Sequence, residues 1–65
     1  MQLRELKIGD RFYPASQAQK KTPIFEVRGP NEFSSAHGSA VRRCVDLSKK
    51  IFVNKSSRLE VIKTN

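Results

Sequence analysis

Acidic residues are scarce in this sequence: six Asp and Glu stand against thirteen Lys and Arg, leaving a formal net charge of +7. That balance disfavours cationic partners and attracts polyanions or acidic proteins. Cysteine is nearly absent. A single Cys44 excludes an internal disulfide, and small secreted domains commonly depend on disulfides, so a cytoplasmic protein is expected. Cys44 and His37, one of each type, fall short of the four ligands of a structural zinc site. No metal and no cofactor is expected. Tryptophan is missing and Tyr13 is the only tyrosine, too few aromatics for a groove that reads proline-rich peptides. Long apolar runs are also lacking. Nothing approaches the ~20 residues needed to cross a bilayer, and the opening Met1-Gln2-Leu3-Arg4-Glu5 precedes no apolar signal-peptide stretch. No membrane partner is expected.

What is present suits one small folded domain spanning residues 1–65. Hydrophobic residues make up 37% and charged residues 29% of the chain, a composition that can bury a thin core and is unlike that of a disordered chain. Residues 3–13 contain Leu3, Leu6, Ile8 and Phe12, with Gly9 too close to Glu5 for a proper helix, which predicts a short lead-in and then a strand. Residues 14–23 are polar and predict a mobile surface loop. Residues 24–28 form the clearest strand, with Phe25 and Val27 on one face and Glu26 and Arg28 on the other, ended by Gly29-Pro30; Ile24 falls at the edge. A second loop is predicted over residues 31–39, with Phe33 lidding the core.

Residues 40–46 and 50–54 read as two strands of a hairpin turning around Leu47-Ser48-Lys49. Alternation in the first is ambiguous, since burying Val41 and Val45 points Arg43 inward, while burying Ala40 and Cys44 points Arg42 inward. Favouring Val41 and Val45 puts Arg43 at an open end or a bulge. Lys55-Ser56-Ser57-Arg58 predicts a single 3₁₀ turn, and residues 59–63 a last strand with Leu59 and Val61 inward. The expected core is Ile8, Phe12, Phe25, Val27, Val45, one or more of Ile51, Phe52 and Val53, Leu59 and Val61.

Five short strands, two long loops after the first two, a tight hairpin and a 3₁₀ turn before the last strand define an all-β class. Ile8-Gly9-Asp10-Arg11-Phe12, Cys44-Val45-Asp46-Leu47 and Lys55-Ser56-Ser57-Arg58 before Leu59-Glu60-Val61-Ile62 carry a likeness over nearly the whole chain. The chain resembles the five-stranded SH3-like small β-barrel, of the kind met among bacteriophage and mobile-element accessory proteins. A shared fold of this type implies no particular function. Gly9-Asp10-Arg11 is also similar to the opening of the type II dihydrofolate reductases, tetrameric SH3-like barrels. Their Val-Gln-Ile-Tyr motif, anchored on Leu59-Glu60, is replaced here by Ile51-Phe52-Val53-Asn54, so the resemblance does not extend to that activity.

No enzymatic chemistry is expected. Glu5, Asp10, Glu26, Glu32, Asp46 and Glu60 are dispersed, and Ser34, Ser35, His37 and Ser39 sit on a Gly-containing loop that is a poor holder for a nucleophile and its base. Cys44 reads as a small buried hydrophobe. Charge is the informative feature: residues 1–39 carry six Lys/Arg against four Asp/Glu (+2), residues 40–65 seven against two (+5). Arg42, Arg43, Lys49, Lys50, Lys55 and Arg58, extended by Lys20 and Lys21, form the candidate anion-binding set, with Tyr13, Phe33 or Phe52 available to stack on a base. The expected partner is nucleic acid contacted through the hairpin. The alternatives are an acidic protein surface, as for a phage-type modulator of a host protein, and self-association through an exposed edge strand.

Overall fold

Aromatic and β-branched residues that alternate with polar ones become strands, and a computed structural model describing residues 1–64 places five of them antiparallel in one sheet. They are β1 (Arg11–Pro14), β2 (Phe25–Ser34), β3 (Ser39–Asp46), β4 (Ile51–Ser56) and β5 (Val61–Lys63), in the order β4-β3-β2-β1-β5. Helical structure among the described residues is limited to 3₁₀ turns at Leu3–Glu5 and Ala15–Gln17. No ladder joins β4 to β5, so the sheet is not closed.

Local chemistry sets the turns. Asp46 ends β3 and its carboxylate accepts from the Ser48 N–H (3.0 Å), the Ser48 hydroxyl (2.8 Å) and the Lys49 N–H (3.2 Å), an Asx arrangement that folds residues 47–50 back onto β4. Lys50 closes this loop in the left-handed region (φ 58°) and donates its N–H to the Asp46 carbonyl (2.6 Å). At the other hairpin Gly38 (φ 69°) donates to the Ser34 carbonyl (2.8 Å).

The core is Leu3, Leu6, Phe12, Phe25, Val27, Cys44 and Val61, with Val53 and Leu59 packed against it and the Phe12 and Phe25 rings stacked 5.4 Å apart. Full burial of a Val, Leu or Phe side chain contributes roughly 1.5–3 kcal/mol, so a core this small has little to spare.

Phe12, Phe25, Val27, Leu59 and Val61 take the expected inward positions, and several others do not. Ile8 is 61% exposed because Lys7 to Asp10 is a tight turn: Gly9 adopts φ 97°, the Asp10 N–H bonds the Lys7 carbonyl and the Asp10 carboxylate caps the Lys7 N–H (2.8 Å), which puts Ile8 on its outer corner. The volume is supplied instead by Leu3 and Leu6, because backbone bonds from Leu3 to Leu59 and from Arg4 to Ser57 (both 2.9 Å) dock the first 3₁₀ turn beside the approach to β5. Phe33 is exposed at the far end of the β2–β3 hairpin and lids nothing. Ile51 and Phe52 are exposed, and Val53 is the β4 residue that faces the core. Tyr13 is buried and unavailable for stacking.

β2 also runs further than its sequence indicates. Gly29-Pro30 interrupts the ladder without ending the strand: Val27 pairs with Cys44 and Asn31 with Arg42, so Arg28, Gly29 and Pro30 together face the single residue Arg43. This bulge tolerates Pro30, which has no N–H to offer a ladder. The chain then pairs again through Ser34, leaving a shorter loop than the one expected over residues 31–39. The 55–58 segment is divided: Lys55 and Ser56 belong to β4, and an i to i+3 bond from the Leu59 N–H to the Ser56 carbonyl (3.0 Å) closes the turn behind them.

The alternation of β3 is the opposite of the one favoured above. Cys44 is fully buried and Arg42 only 4% exposed, whereas Val41 and Val45 are half-buried on the outer face with Arg43. The reason lies in the acceptors. Arg42 Nε donates to the Gly29 carbonyl (3.0 Å), and Nη1 donates to the carbonyls of Leu3 (3.0 Å) and Leu6. A buried guanidinium is tolerable when its donors are satisfied, and the bulge and the first 3₁₀ turn supply what is needed.

Candidate functional site

The outer face of β2, β3 and β4 is built by strand alternation, which sends Arg43, Val41 and Val45 outward opposite Asn54, Ser56 and Phe52 of β4. Arg43 places its guanidinium carbon 5.4 Å from the centroid of the Phe52 ring, and Phe52 is itself 61% exposed. An exposed cation–aromatic pair of this kind is worth about 0.5–1 kcal/mol, enough to set a preferred position for the guanidinium and not enough to hold it there against a ligand. Beside it the bulge opens a groove of about 670 Å³ whose walls include Arg28, Pro30, Glu32, Phe33, Val41, Arg43 and Asn54.

Of the eight residues expected to meet an anion, Arg42 is removed by its burial: its guanidinium is engaged with carbonyls and cannot reach a phosphate. Lys55 is half-buried with its Nζ 4.9 Å above the Phe25 ring, on the inner face of the sheet. Arg43, Lys49, Lys50, Arg58, Lys20 and Lys21 are exposed, and the ion pairs among the described residues include none of them. They are not gathered at one place. Lys49 and Lys50 lie at one end of β4 and Arg58 past its other end, at least roughly 17 Å away along the six-residue strand. Lys20 and Lys21 join the Lys49–Lys50 end, because Thr22-Pro23-Ile24 packs beside Leu47-Ser48 around a small apolar depression and the Leu47 N–H bonds the Ile24 carbonyl (3.0 Å).

No family model, curated protein or solved structure matches this chain. Its own chemistry therefore carries the functional argument.

The acidic residues are largely consumed in internal contacts. Glu26 is shared between Arg11 (3.2 Å) and Arg28, whose hydrogen bonds hold its carboxyl below the usual carboxylate range. Asp46 is likewise lowered, first by the Ser48 hydroxyl and then by the backbone donors of its turn, with desolvation opposing. Asp10 meets Lys63 (3.7 Å), Glu60 meets the N-terminal ammonium (3.5 Å) and Glu5 accepts from the Gln2 N–H. Among the described residues Glu32 alone has no such partner, and it stands in the groove wall. The surplus cations are thus uncompensated at the surface.

Other chemistries find little to work with. Among the described residues no group of three His, Cys, Asp or Glu side chains is placed to hold a metal ion. His37 Nδ1 lies 2.9 Å from the Ser34 hydroxyl on an exposed turn, and among the described residues no carboxylate is bonded to the ring. Burial pushes the Cys44 thiol up to about 11, against the opposing charges of Arg42 and Lys55. Among the described residues no helix is long and apolar enough to cross a membrane. Sequence reasoning missed Arg28 and Asn54 as groove residues. Their signal is Gly29-Pro30 between two strand-forming stretches, the mark of a bulge.

Proposed function

We propose that this chain is a non-enzymatic binding module that contacts the phosphates of nucleic acid through Arg43, Lys49 and Lys50, with Lys20, Lys21 and Arg58 extending the field. The observation that carries this reading is the set of exposed cations without ion pairs on a chain whose carboxylates are nearly all occupied internally. Such a surface releases condensed counterions from a phosphate backbone. We further read the architecture as an SH3-like barrel left open, supported by the strand order and by the pairing of β1 with both β2 and β5. The likeness to phage and mobile-element barrels belongs with this proposal.

The test is affinity for nucleic acid titrated against salt. Expected is a straight line on logarithmic axes, with slope about −0.9 per phosphate neutralised on duplex DNA or about −0.7 on a single strand. Replacing Arg43, Lys49 and Lys50 by Gln flattens it. Lys55→Gln changes it less, because that ammonium is engaged over Phe25. Absence of binding by the parent at low salt overturns the reading. The second reading, docking on an acidic protein, is favoured by the apolar depression at Thr22-Pro23-Ile24 and Leu47-Ser48 with lysines on either side. It predicts a shallow slope with nucleic acid. Self-association through the β4 edge is opposed by Lys55 within it and by Lys49 and Lys50 just before it, a common guard against edge pairing.

A further inference from the structure

β4 is the outermost strand of the sheet on its side, and its free edge is a row of main-chain groups that the phosphate contacts proposed above leave unused. One bond shows which groups these are. The Ser57 N–H donates to the Ala40 carbonyl (3.0 Å), one step beyond the pairing of Val41 with Ser56. In an antiparallel ladder such directly bonded pairs recur at every second position. Ile51, Val53 and Lys55 therefore bond inward to β3, while Phe52, Asn54 and Ser56 turn their N–H and carbonyl groups away from the sheet. The Ser56 carbonyl accepts from the Leu59 N–H (3.0 Å), and among the described residues no backbone bond from a turn or loop reaches Phe52 or Asn54.

An unpaired edge is a template for any extended chain, and proteins commonly block it with proline, a bulge or charge. β4 contains no proline and its register with β3 is unbroken from Ile51 to Ser56, so charge is what guards it. Charge discriminates by sign. Two copies of β4 laid edge to edge bring their lysines together, which is unfavourable, whereas an acidic strand meets opposite charge. The two faces beside the edge also differ. On the outer side Arg43, one strand in, carries its guanidinium over the Phe52 ring and so toward the edge. On the inner side lie Val53 and Ile51, the latter 50% exposed. Lys50 stands just before the strand and Arg58 just past it.

We propose that the β4 edge takes an extended acidic segment of a partner protein as an added strand, with carboxylates on the side of Arg43 and apolar residues beside Ile51 and Val53. Main-chain bonds at Phe52 and Asn54 supply the attachment, and alternate side chains supply the selectivity. This contact goes beyond the phosphate reading and does not depend on it. Nucleic acid has no row of amides to continue the ladder, so the backbone of β4 tells the two kinds of partner apart.

The test uses a labelled peptide of alternating Val and Glu, slightly longer than β4, followed by fluorescence anisotropy. Its controls are a twin with Lys in place of Glu and the Val-Glu peptide methylated on every backbone nitrogen. The Val-Glu peptide should bind and the Lys twin should not. Methylation removes the donors to the Phe52 and Asn54 carbonyls and should weaken binding about 5-fold or more. Asn54→Pro deletes an N–H that points off the sheet, where an edge strand tolerates proline, and should lower affinity while melting near the parent. In the free protein the Phe52 and Asn54 amides should exchange with deuterium faster than those of Val53 and Lys55, and the Val-Glu peptide should slow them selectively. Should Asn54→Pro fail to fold, the methylated peptide and amide exchange on the parent decide. Unchanged exchange at Phe52 and Asn54 with the peptide bound, or equal binding of the methylated peptide, overturns the proposal and places the peptide elsewhere. Equal binding of the Lys twin overturns it as well. Failure of the Val-Glu peptide to bind at low salt ends it and leaves the phosphate reading standing.

Discussion

Arg42→Met should unfold this protein or bring it to the edge of unfolding, while the same kind of change one residue later should not. In the native state the Arg42 guanidinium serves three carbonyls. The Leu3 carbonyl keeps a second donor, the Leu6 N–H at 3.1 Å. The buried Leu6 carbonyl and the part-buried Gly29 carbonyl lose the bonds that Arg42 gives them. Hydrogen bonds to a charged group contribute about 1.5–3 kcal/mol each, and a buried acceptor left without a donor costs about 1–3 kcal/mol. Two such losses, less the apolar packing that Met restores, amount to roughly 3–5 kcal/mol. A chain of this length has a total stability of about 3–10 kcal/mol at typical values per residue. With about 4–8 °C lost per kcal/mol in a domain this small, the melting temperature should fall by about 12 °C or more. Arg42→Lys, which keeps the charge but loses the fork of donors, should fall between Met and the parent. Arg43→Gln is the internal control: on the outer face it gives up only the Phe52 contact, so the change should stay within about 1 kcal/mol. Thermal and urea denaturation followed by circular dichroism decides the matter. A melt for Arg42→Met within about 4 °C of the parent would refute the buried-guanidinium argument and return β3 to the opposite alternation.

Cys44 should react slowly with a thiol reagent in the folded state and rapidly after denaturation; equal rates would place it at the surface. Its thiol is pushed up to about 11 by burial, so its contribution to stability is complete below the unfolded-state value near 9 and is lost as pH rises from there through 11; Cys44→Ala should flatten urea stability across that window relative to the parent. Lys50→Gly relieves a left-handed backbone at the end of the β3–β4 loop and should leave stability unchanged or raise it by up to about 1 kcal/mol, whereas Lys50→Val should lower it in the same denaturation assay. Glu32→Gln removes from the groove wall a carboxylate that has no partner among the described residues and should tighten nucleic-acid binding at low salt with no change in melting; weaker binding would place the phosphates elsewhere.

Much of the fold could be read from period-two alternation, because Phe25 and Val27, or Asp46 followed by Ser48 and Lys49, act over a few residues. The N-terminal segment could not. Leu3 and Leu6 are core residues only because the 57–60 segment, at the other end of the chain, supplies their backbone partners. Without that contact Ile8 looks equally apolar and better placed. Gly29-Pro30 reads as a stop because each residue weakens a ladder locally, and only the renewed pairing from Asn31 to Ser34 shows a bulge instead. The stretch from Ala40 to Asp46 was undecidable in principle, since each alternation buries one arginine, and the acceptors that choose between them lie on two remote segments.

The candidate site has the same origin. The bulge turns the Gly29 carbonyl toward Arg42 and so gives the buried guanidinium one of its acceptors. It also puts a glycine against Arg43: a Cβ on Gly29 would lie 3.3 Å from the Cβ of Arg43, so a side chain there would crowd the base of the outward arginine. Arg43 is left room to extend along the outer face over Phe52, and the three bulged residues form one wall of the groove. Two adjacent arginines of identical chemistry thus part company, one joining the N-terminal turn to the sheet and the other facing solvent. Counting charge in the sequence treats them alike, although only Arg43 can meet a ligand and only Arg42 is needed for the fold. The +5 of residues 40–65 is therefore an upper bound on the charge offered to a partner, since Arg42 is buried among carbonyls and Lys55 lies over Phe25. What remains is Arg43 on the outer face of β3, Lys49 and Lys50 in the loop before β4 and Arg58 past its far end, so a partner meets separate points of charge along the hairpin and not one compact cluster.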